Sequence, residues 1–145
     1  QLPEKLIPVI ILNAISNNPI PIYGDGKNIR DWIYVEDHID ALIKVALNGK
    51  VGDSYCIGGG KEKSNEEIVE LICHLLDCKN KLNAPHNRLK VYIKDRLGHD
   101  RRYAIDNNKI KKELDWFPKY DFNESISSTI QWYLENINWC NKYTK

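Results

Sequence analysis

A chain of 145 residues usually makes one domain and is long enough to bury a real core. Its 21 basic and 20 acidic residues leave a formal charge of +1, so no long-range field recommends it to nucleic acid or to a membrane surface. With no signal peptide, no apolar run long enough to cross a bilayer, and no Cys-x-x-Cys or zinc spacing among Cys56, Cys73, Cys78, Cys140, His74 and His86, the sequence reads as soluble, cytoplasmic, reduced and metal-free.

Pro3 and Pro8 suit a helix approach or first turn, where a missing amide hydrogen costs little. Ile7, Ile11 and Ile15, with Leu12 beside them, then recur at helical spacing until Asn17-Asn18-Pro19 ends the run. Lys5 sits at the helix entrance, where its ammonium can reach an anion; taken alone it is an ordinary surface lysine. Pro19 to Tyr23 reads as a short strand, with Pro21 at a position that a sheet edge tolerates. Gly24-Asp25-Gly26 is a turn in which the glycines permit positive φ.

A β-prone run from Ile33 to Val35 predicts a second strand, and a helix is expected from about Asp37 to Asn48. Ile39, Leu42, Ile43 and Ala46 form its apolar stripe, Glu36 and Asp37 are favourable charges at its N-terminus, and Gly49 is expected to supply a left-handed C-cap. Ser54 to Ile57 reads as a strand running into Gly58-Gly59-Gly60. That triple glycine matches neither a P-loop nor a dinucleotide fingerprint, and close backbone packing accounts for it.

Ser64 and Glu67 make a capping box, followed by a helix buried through Ile68, Val69, Leu71, Ile72, Leu75 and Leu76, with Cys73 on its apolar side. Asn65, in its first turn, lies beside unpaired amides. Asp77 to Arg88 is a polar surface connection, and Leu89 to Ile93 is the next strand. Asp106 is expected to cap a short helix through Lys109, Ile110 and Leu114, which Trp116-Phe117-Pro118 stops. Lys109, Lys111 and Lys112 read as a solvated face. Asn123 opens a last helix with Ile126, Ile130, Tyr133, Leu134 and Ile137 inside, and Trp132 and Trp139 as packing anchors.

Two places carry chemistry. Arg30 can hold a phosphate through two parallel hydrogen bonds, with Tyr23 offering a flat face to a base or sugar; equally, Arg30 can pair with Asp31 or another acid at the surface. The loop from Lys94 to Arg102 packs three arginines, one histidine and two aspartates around Gly98. Arg30 and Arg96 together could clamp a pyrophosphate, with His99 donating to the same group. The alternative is a salt-bridged loop in which Asp95 and Asp100 neutralise the arginines.

Tyr23-Gly-Asp-Gly, then Ile29-Arg-Asp-Trp-Ile-Tyr-Val-Glu-Asp-His38, Tyr55-Cys-Ile-Gly-Gly59 and Asp95-Arg-Leu-Gly-His-Asp-Arg-Arg-Tyr-Ala-Ile-Asp106 resemble, in this order, the extended short-chain dehydrogenase family of nucleotide-sugar enzymes. Their nearest likeness is to its branch of dTDP-glucose 4,6-dehydratases. The resemblance implies an α/β fold: the C-terminal substrate-binding part of such an enzyme, with the NAD-binding Rossmann core largely missing. The whole chain is then a nucleotide-sugar-binding region, in which residues from about 30 to 48 are an edge strand and helix of the missing domain. It further implies a substrate site made of Lys5, Leu6, Ile7, Pro8, Val9, Ile10, Pro21, Ile22, Tyr23, Arg30, Asn65, Asp95, Arg96, Leu97, Gly98 and His99.

In the complete family enzyme hydride passes from the sugar C4 to NAD, water leaves across C5 and C6, and hydride returns to C6. The NAD-binding glycine loop and a catalytic Tyr-x-x-x-Lys pair are expected in a preceding region and not in this chain, so no catalytic residue is assigned and the polypeptide alone is expected to be inactive. A dTDP-sugar is the implied ligand. A homodimer is implied for the full-length family, or an N-terminal half supplied by another chain. The chain contains no methionine and reads as a piece of something longer. The alternatives are an inactive nucleotide-sugar-binding remnant or part of a related epimerase or decarboxylase. Cys56 and Leu97 stand where the family pattern has asparagine and proline.

Overall fold

The computed structural model describes residues 3–142. Six α-helices and four short strands are assigned among them: α1 Leu6–Ile15, β1 Ile20–Tyr23, β2 Ile29–Asp31, α2 Val35–Asn48, β3 Glu62–Ser64, α3 Asn65–Lys79, β4 Lys90–Ile93, α4 Asn108–Leu114, α5 Phe122–Glu135 and α6 Ile137–Cys140. A 3-10 turn, His86–Leu89, precedes β4. The elements divide into two compact units: residues 1–28, 64–100 and 126–145 form one, and residues 29–63 and 101–125 form the other.

The first unit is built on a parallel pair. β1 runs beside β4 in the register Ile20 to Lys90 through Tyr23 to Ile93, and α1 and α3 pack together next to it. The apolar spacing of α1 places Ile7, Pro8, Ile10, Ile11 and Ala14 inside, so Pro8 is a core residue in the first turn, where proline is tolerated. α3 begins as its sequence requires. The Glu67 amide donates to the Ser64 hydroxyl at 3.2 Å and the Ser64 amide to Glu67 Oε2 at 2.8 Å, satisfying two donors at a helix start. Ile68, Val69, Ile72, Cys73 and Leu76 are buried on it, while Leu71 and Leu75 are half-buried. Burial pushes the Cys73 thiol up to about 11, which makes it a small hydrophobe and not a nucleophile. Trp132 and Trp139 stack edge to face, ring centres 5.5 Å apart, and both keep about half their surface exposed.

The second unit has a smaller core of Ala41, Ile110, Leu114 and Trp116, with Ile33, Val45, Tyr55 and Ile57 against it. Three expectations need correcting here. The second strand is Ile29–Asp31, paired with β3, and not Ile33–Val35, because Val35 already begins α2. Gly49 closes α2 with φ −67°, not in the left-handed region; its amide bonds the Val45 carbonyl, and a Cβ there would overlap that same oxygen. Ser54 to Ile57 forms no ladder, although Tyr55 and Ile57 face inward and Ser54 and Cys56 outward as in a strand. A strand is defined by a neighbour, and among the described residues this one has none.

The predicted stripe of α2 is real in spacing but not in burial. Val35, Ile39, Leu42, Ile43 and Leu47 are all exposed, Leu47 at 76 %, and only Asp37 and Ala41 of that helix are buried. Asp37, read as a helix-start charge, also accepts the Lys119 amide at 2.8 Å and the Tyr120 amide at 3.4 Å, which fixes the loop after Trp116. Two helix starts are shifted by one or two residues. Asp106 accepts the Asn108 amide, but the residue flanking α4 is Asn107, and Asp121 rather than Asn123 caps α5 by accepting the Asn123 and Glu124 amides at 2.8 and 3.1 Å.

Candidate functional site

Fifteen of the sixteen residues expected at the site lie in the first unit; Arg30 lies in the second. Lys5 is the exposed residue flanking α1, and its carbonyl accepts the Val9 amide at 3.0 Å. Leu6 and Val9 are half-buried, whereas Ile7, Pro8 and Ile10 face the core. Only the first group has side-chain surface to offer a ligand. Pro21 is half-buried on β1, and Ile22, one residue along, is inside.

The turn after β1 draws the centre of the site together. Gly24 and Gly26 both have positive φ, as a side chain would resist. The Gly24 amide donates to the Ile93 carbonyl, extending the β1–β4 pair, and a Cβ on Gly24 would lie 2.9 Å from Asp95 Oδ2. The loop after β4 is thereby brought up against the loop after β1. Arg96 lies with its guanidinium carbon 4.7 Å from the centre of the Tyr23 ring, within reach of the ring's negative face.

Asp95 organises this loop. Its Oδ1 accepts the Arg96 amide at 2.8 Å and lies 2.7 Å from His99 Nδ1. A carboxylate only accepts, so that nitrogen carries the proton, and donation from the far ring nitrogen requires the doubly protonated ring. The His99 hydrogen bond holds the Asp95 carboxyl below its usual range. Gly98 takes φ +69° in the Arg96–His99 turn, closed by the His99 amide on the Arg96 carbonyl at 3.3 Å, and Leu97 is almost wholly exposed.

Asn28, which the sequence did not single out, ties these pieces together. It is 1 % exposed; its Nδ2 donates to the Asp100 carbonyl at 3.2 Å and lies 3.4 Å from His99 Nδ1, and its own carbonyl accepts the Asn65 amide at 3.0 Å. Its side chain thus holds the end of the arginine-rich loop, and its backbone carbonyl the start of α3. Its only linear signal was a polar residue just after a glycine turn.

Within the second unit Arg30 lies over Tyr103, 4.4 Å from guanidinium carbon to ring centre, and Nη1 donates to the Ile29 carbonyl at 2.6 Å. Asp31, the acid weighed as its partner, instead accepts the Lys61 amide at 2.8 Å. Arg102 is held in a bidentate pair by Glu62, at 2.6 and 2.7 Å, and not by Asp95 or Asp100.

Among the described residues there is no dinucleotide cradle. No Gly-x-Gly-x-x-Gly occurs, and Gly58 and Gly59 are occupied by close packing: a Cβ on Gly58 would meet Asp31 and Ile105, and one on Gly59 would overlap the Trp32 carbonyl. The Tyr-x-x-x-Lys spacing, expected to be absent, does occur once, as Tyr23 to Lys27. It spans the two-glycine turn and not a helix, so the i,i+4 geometry that would set a lysine beside a tyrosine is missing. No cluster of three metal-ligating side chains and no helix long and apolar enough to cross a membrane exists among the described residues.

The family model for GDP-mannose 4,6 dehydratase matches residues 1–129, and the α/β fold matches the C-terminal portion of extended short-chain dehydrogenases: the chain belongs to this family. Within it, the chain matches the C-terminal part of dTDP-glucose 4,6-dehydratases. It is 48% identical over 141 residues to the dTDP-glucose 4,6-dehydratase of Xanthomonas campestris and 51% identical over 139 residues to that of Escherichia coli, covering 96% of this chain and 40% and 38% of those proteins. The crystal structure of the Bacillus anthracis dTDP-glucose 4,6-dehydratase in complex with NAD superimposes with a TM-score of 0.84 at 47% identity, over 96% of this chain and 42% of that one. The Streptomyces venezuelae enzyme, solved with NAD and TYD bound, gives 0.87 at 36% identity. The chain spans about 40% of the length of these relatives.

Proposed function

We propose that this chain is the nucleotide-sugar-binding portion of a dTDP-glucose 4,6-dehydratase, a cytoplasmic enzyme that converts dTDP-glucose to dTDP-4-keto-6-deoxyglucose and water. The observation that carries this reading is the convergence of the Tyr23–Gly24 turn, the Asp95–His99 hydrogen bond and Asn28, bound to the Asp100 carbonyl, with the Arg96 guanidinium over the Tyr23 ring. Such a cluster holds a guanidinium over an aromatic ring with its N–H edge left for an anion, which suits a nucleotide diphosphate. In the first unit Arg96 takes phosphate and Tyr23 the base, with Lys5 and Asn65 contributing at the two helix starts; Arg30, in the second unit, is read as a phosphate ligand in its own right. NAD, where bound in the complete enzyme, supplies the hydride acceptor. The residues of this chain fix where the hexose lies, and such remote contacts lower the barrier to the chemical step.

The reading extends to the remaining length of the relatives. The bare stripe of α2 and the unpaired segment Ser54 to Ile57 suit burial against the nucleotide-binding sheet, and supply of that part makes the enzyme complete. The test is calorimetric titration of the chain with dTDP-glucose and UDP-glucose, in wild type, Arg30→Ala and Arg96→Ala. Each substitution is expected to weaken dTDP-glucose binding by about 1.5 to 3 kcal/mol, the worth of a hydrogen bond to a charged group. Unchanged affinity in both variants overturns the reading.

A further inference from the structure

Tyr103 has no part in the site as described, yet it is fastened to the strand that carries Arg30. The Ile29 amide donates to the Arg101 carbonyl at 2.8 Å, and the Tyr103 amide donates back to the Ile29 carbonyl at 3.0 Å. Ile29 and Arg102 form a parallel bridge between these two bonds. The same Ile29 carbonyl accepts Arg30 Nη1 at 2.6 Å, so one oxygen locates both the tyrosine backbone and the guanidinium. The Tyr103 ring, about half exposed, then lies 4.4 Å from the guanidinium carbon.

An arginine side chain carries much rotamer freedom, and a ligand that takes hold of a loose one must first order it. A ring fixed against the guanidinium does this beforehand. Stacking uses the face of the planar group, whereas a phosphate is gripped through its N–H edge, so the two contacts are compatible. We propose that Tyr103 is a positioning residue of the diphosphate site, holding Arg30 in its phosphate-gripping orientation through face stacking. This rests on the reading of Arg30 as a phosphate ligand.

The test is a double-mutant cycle read by calorimetric titration of the chain with dTDP: wild type, Tyr103→Leu, Tyr103→Phe, Arg30→Ala and the Arg30→Ala/Tyr103→Leu double variant. Tyr103→Leu is expected to weaken dTDP binding roughly threefold to tenfold, and Tyr103→Phe, which keeps the ring, to stay within about twofold of wild type. In the Arg30→Ala background Tyr103→Leu adds no further loss. A merely structural tyrosine would weaken binding in both backgrounds, and that result overturns the proposal, as does wild-type affinity in Tyr103→Leu. Should Tyr103→Leu fail to fold, Tyr103→Gln carries the same comparison. The underlying reading fails separately: dTDP binding by Arg30→Ala equal to wild type, or no binding by wild type, removes Arg30 as a phosphate ligand and the proposal with it.

Discussion

The two units treat the same kind of helix differently. α3 in the first unit and α2 in the second both carry apolar residues at three- and four-residue spacing, yet Ile68, Val69, Ile72 and Leu76 are fully buried while Ile39, Leu42, Ile43 and Leu47 stand in solvent. The first has α1 and the 3-10 turn against it. The second meets α4 through Ala41 on another side. An amphipathic pattern records which face a helix buries when its partner layer is present; it does not say that the layer belongs to the same stretch of chain.

The largest expected effect tests that contrast directly. Ile72→Ala removes a fully buried side chain and is expected to cost about 2 to 5 kcal/mol of stability, while Ile43→Ala stays within about 0.5 kcal/mol; urea unfolding of both variants measures the difference. Equal losses would show α2 to be covered already. Next, an exposed apolar stripe of this length favours association, so Ile43→Glu with Leu47→Glu is expected to shift a self-associating chain to monomer in sedimentation velocity. A wild-type chain that is already a dilute monomer with sharp, dispersed amide resonances contradicts this.

A smaller effect sharpens the well-packed side of the comparison. Ser64→Ala deletes the hydroxyl half of the capping box at α3 and is expected to cost about 1 kcal/mol in the same unfolding assay. Smallest is an acid limb in the other unit. The Asp121 carboxyl is held below its ordinary value of 3.8, first by the hydrogen bond from the Glu124 amide and then by those of Asn123 and Phe122. A carboxyl whose folded value is depressed binds fewer protons folded than unfolded. Its contribution is therefore complete above the ordinary value and is lost as pH falls through the lower, folded one. Asp121→Asn is expected to flatten the acid end of the stability profile, measured by unfolding across that range.

Much of this was readable in the linear chain wherever the cause was local. The Ser64–Glu67 box, the Gly24–Gly26 turn, the stop at Asn17 and the buried Cys73 each depend on neighbours a few residues away, and each is present as expected. Misreadings came where a distant segment decides. Ile33 to Val35 has the composition of a strand, but β2 is made by the backbone of residues 62–64, a polar stretch with no apolar alternation to announce it. Gly49 was read for its φ, but close approach to the Val45 carbonyl is what excludes a side chain there. At the site, the order of the arginine and tyrosine motifs was legible; the roles of Asn28 and Tyr103 depend on contacts across about seventy residues of sequence and leave no mark in a local pattern.

The interleaving of the two units has a consequence for synthesis. β1 cannot find its partner until β4 has emerged, and the first unit recruits residues 126 onward while the second waits for residues 101–125. Neither can close its core before residues 101 onward have been made. Sequential, piece-by-piece folding during translation is thus closed to this chain: a nascent polypeptide exposing α1 and α3 must be kept from aggregating until the late segments arrive.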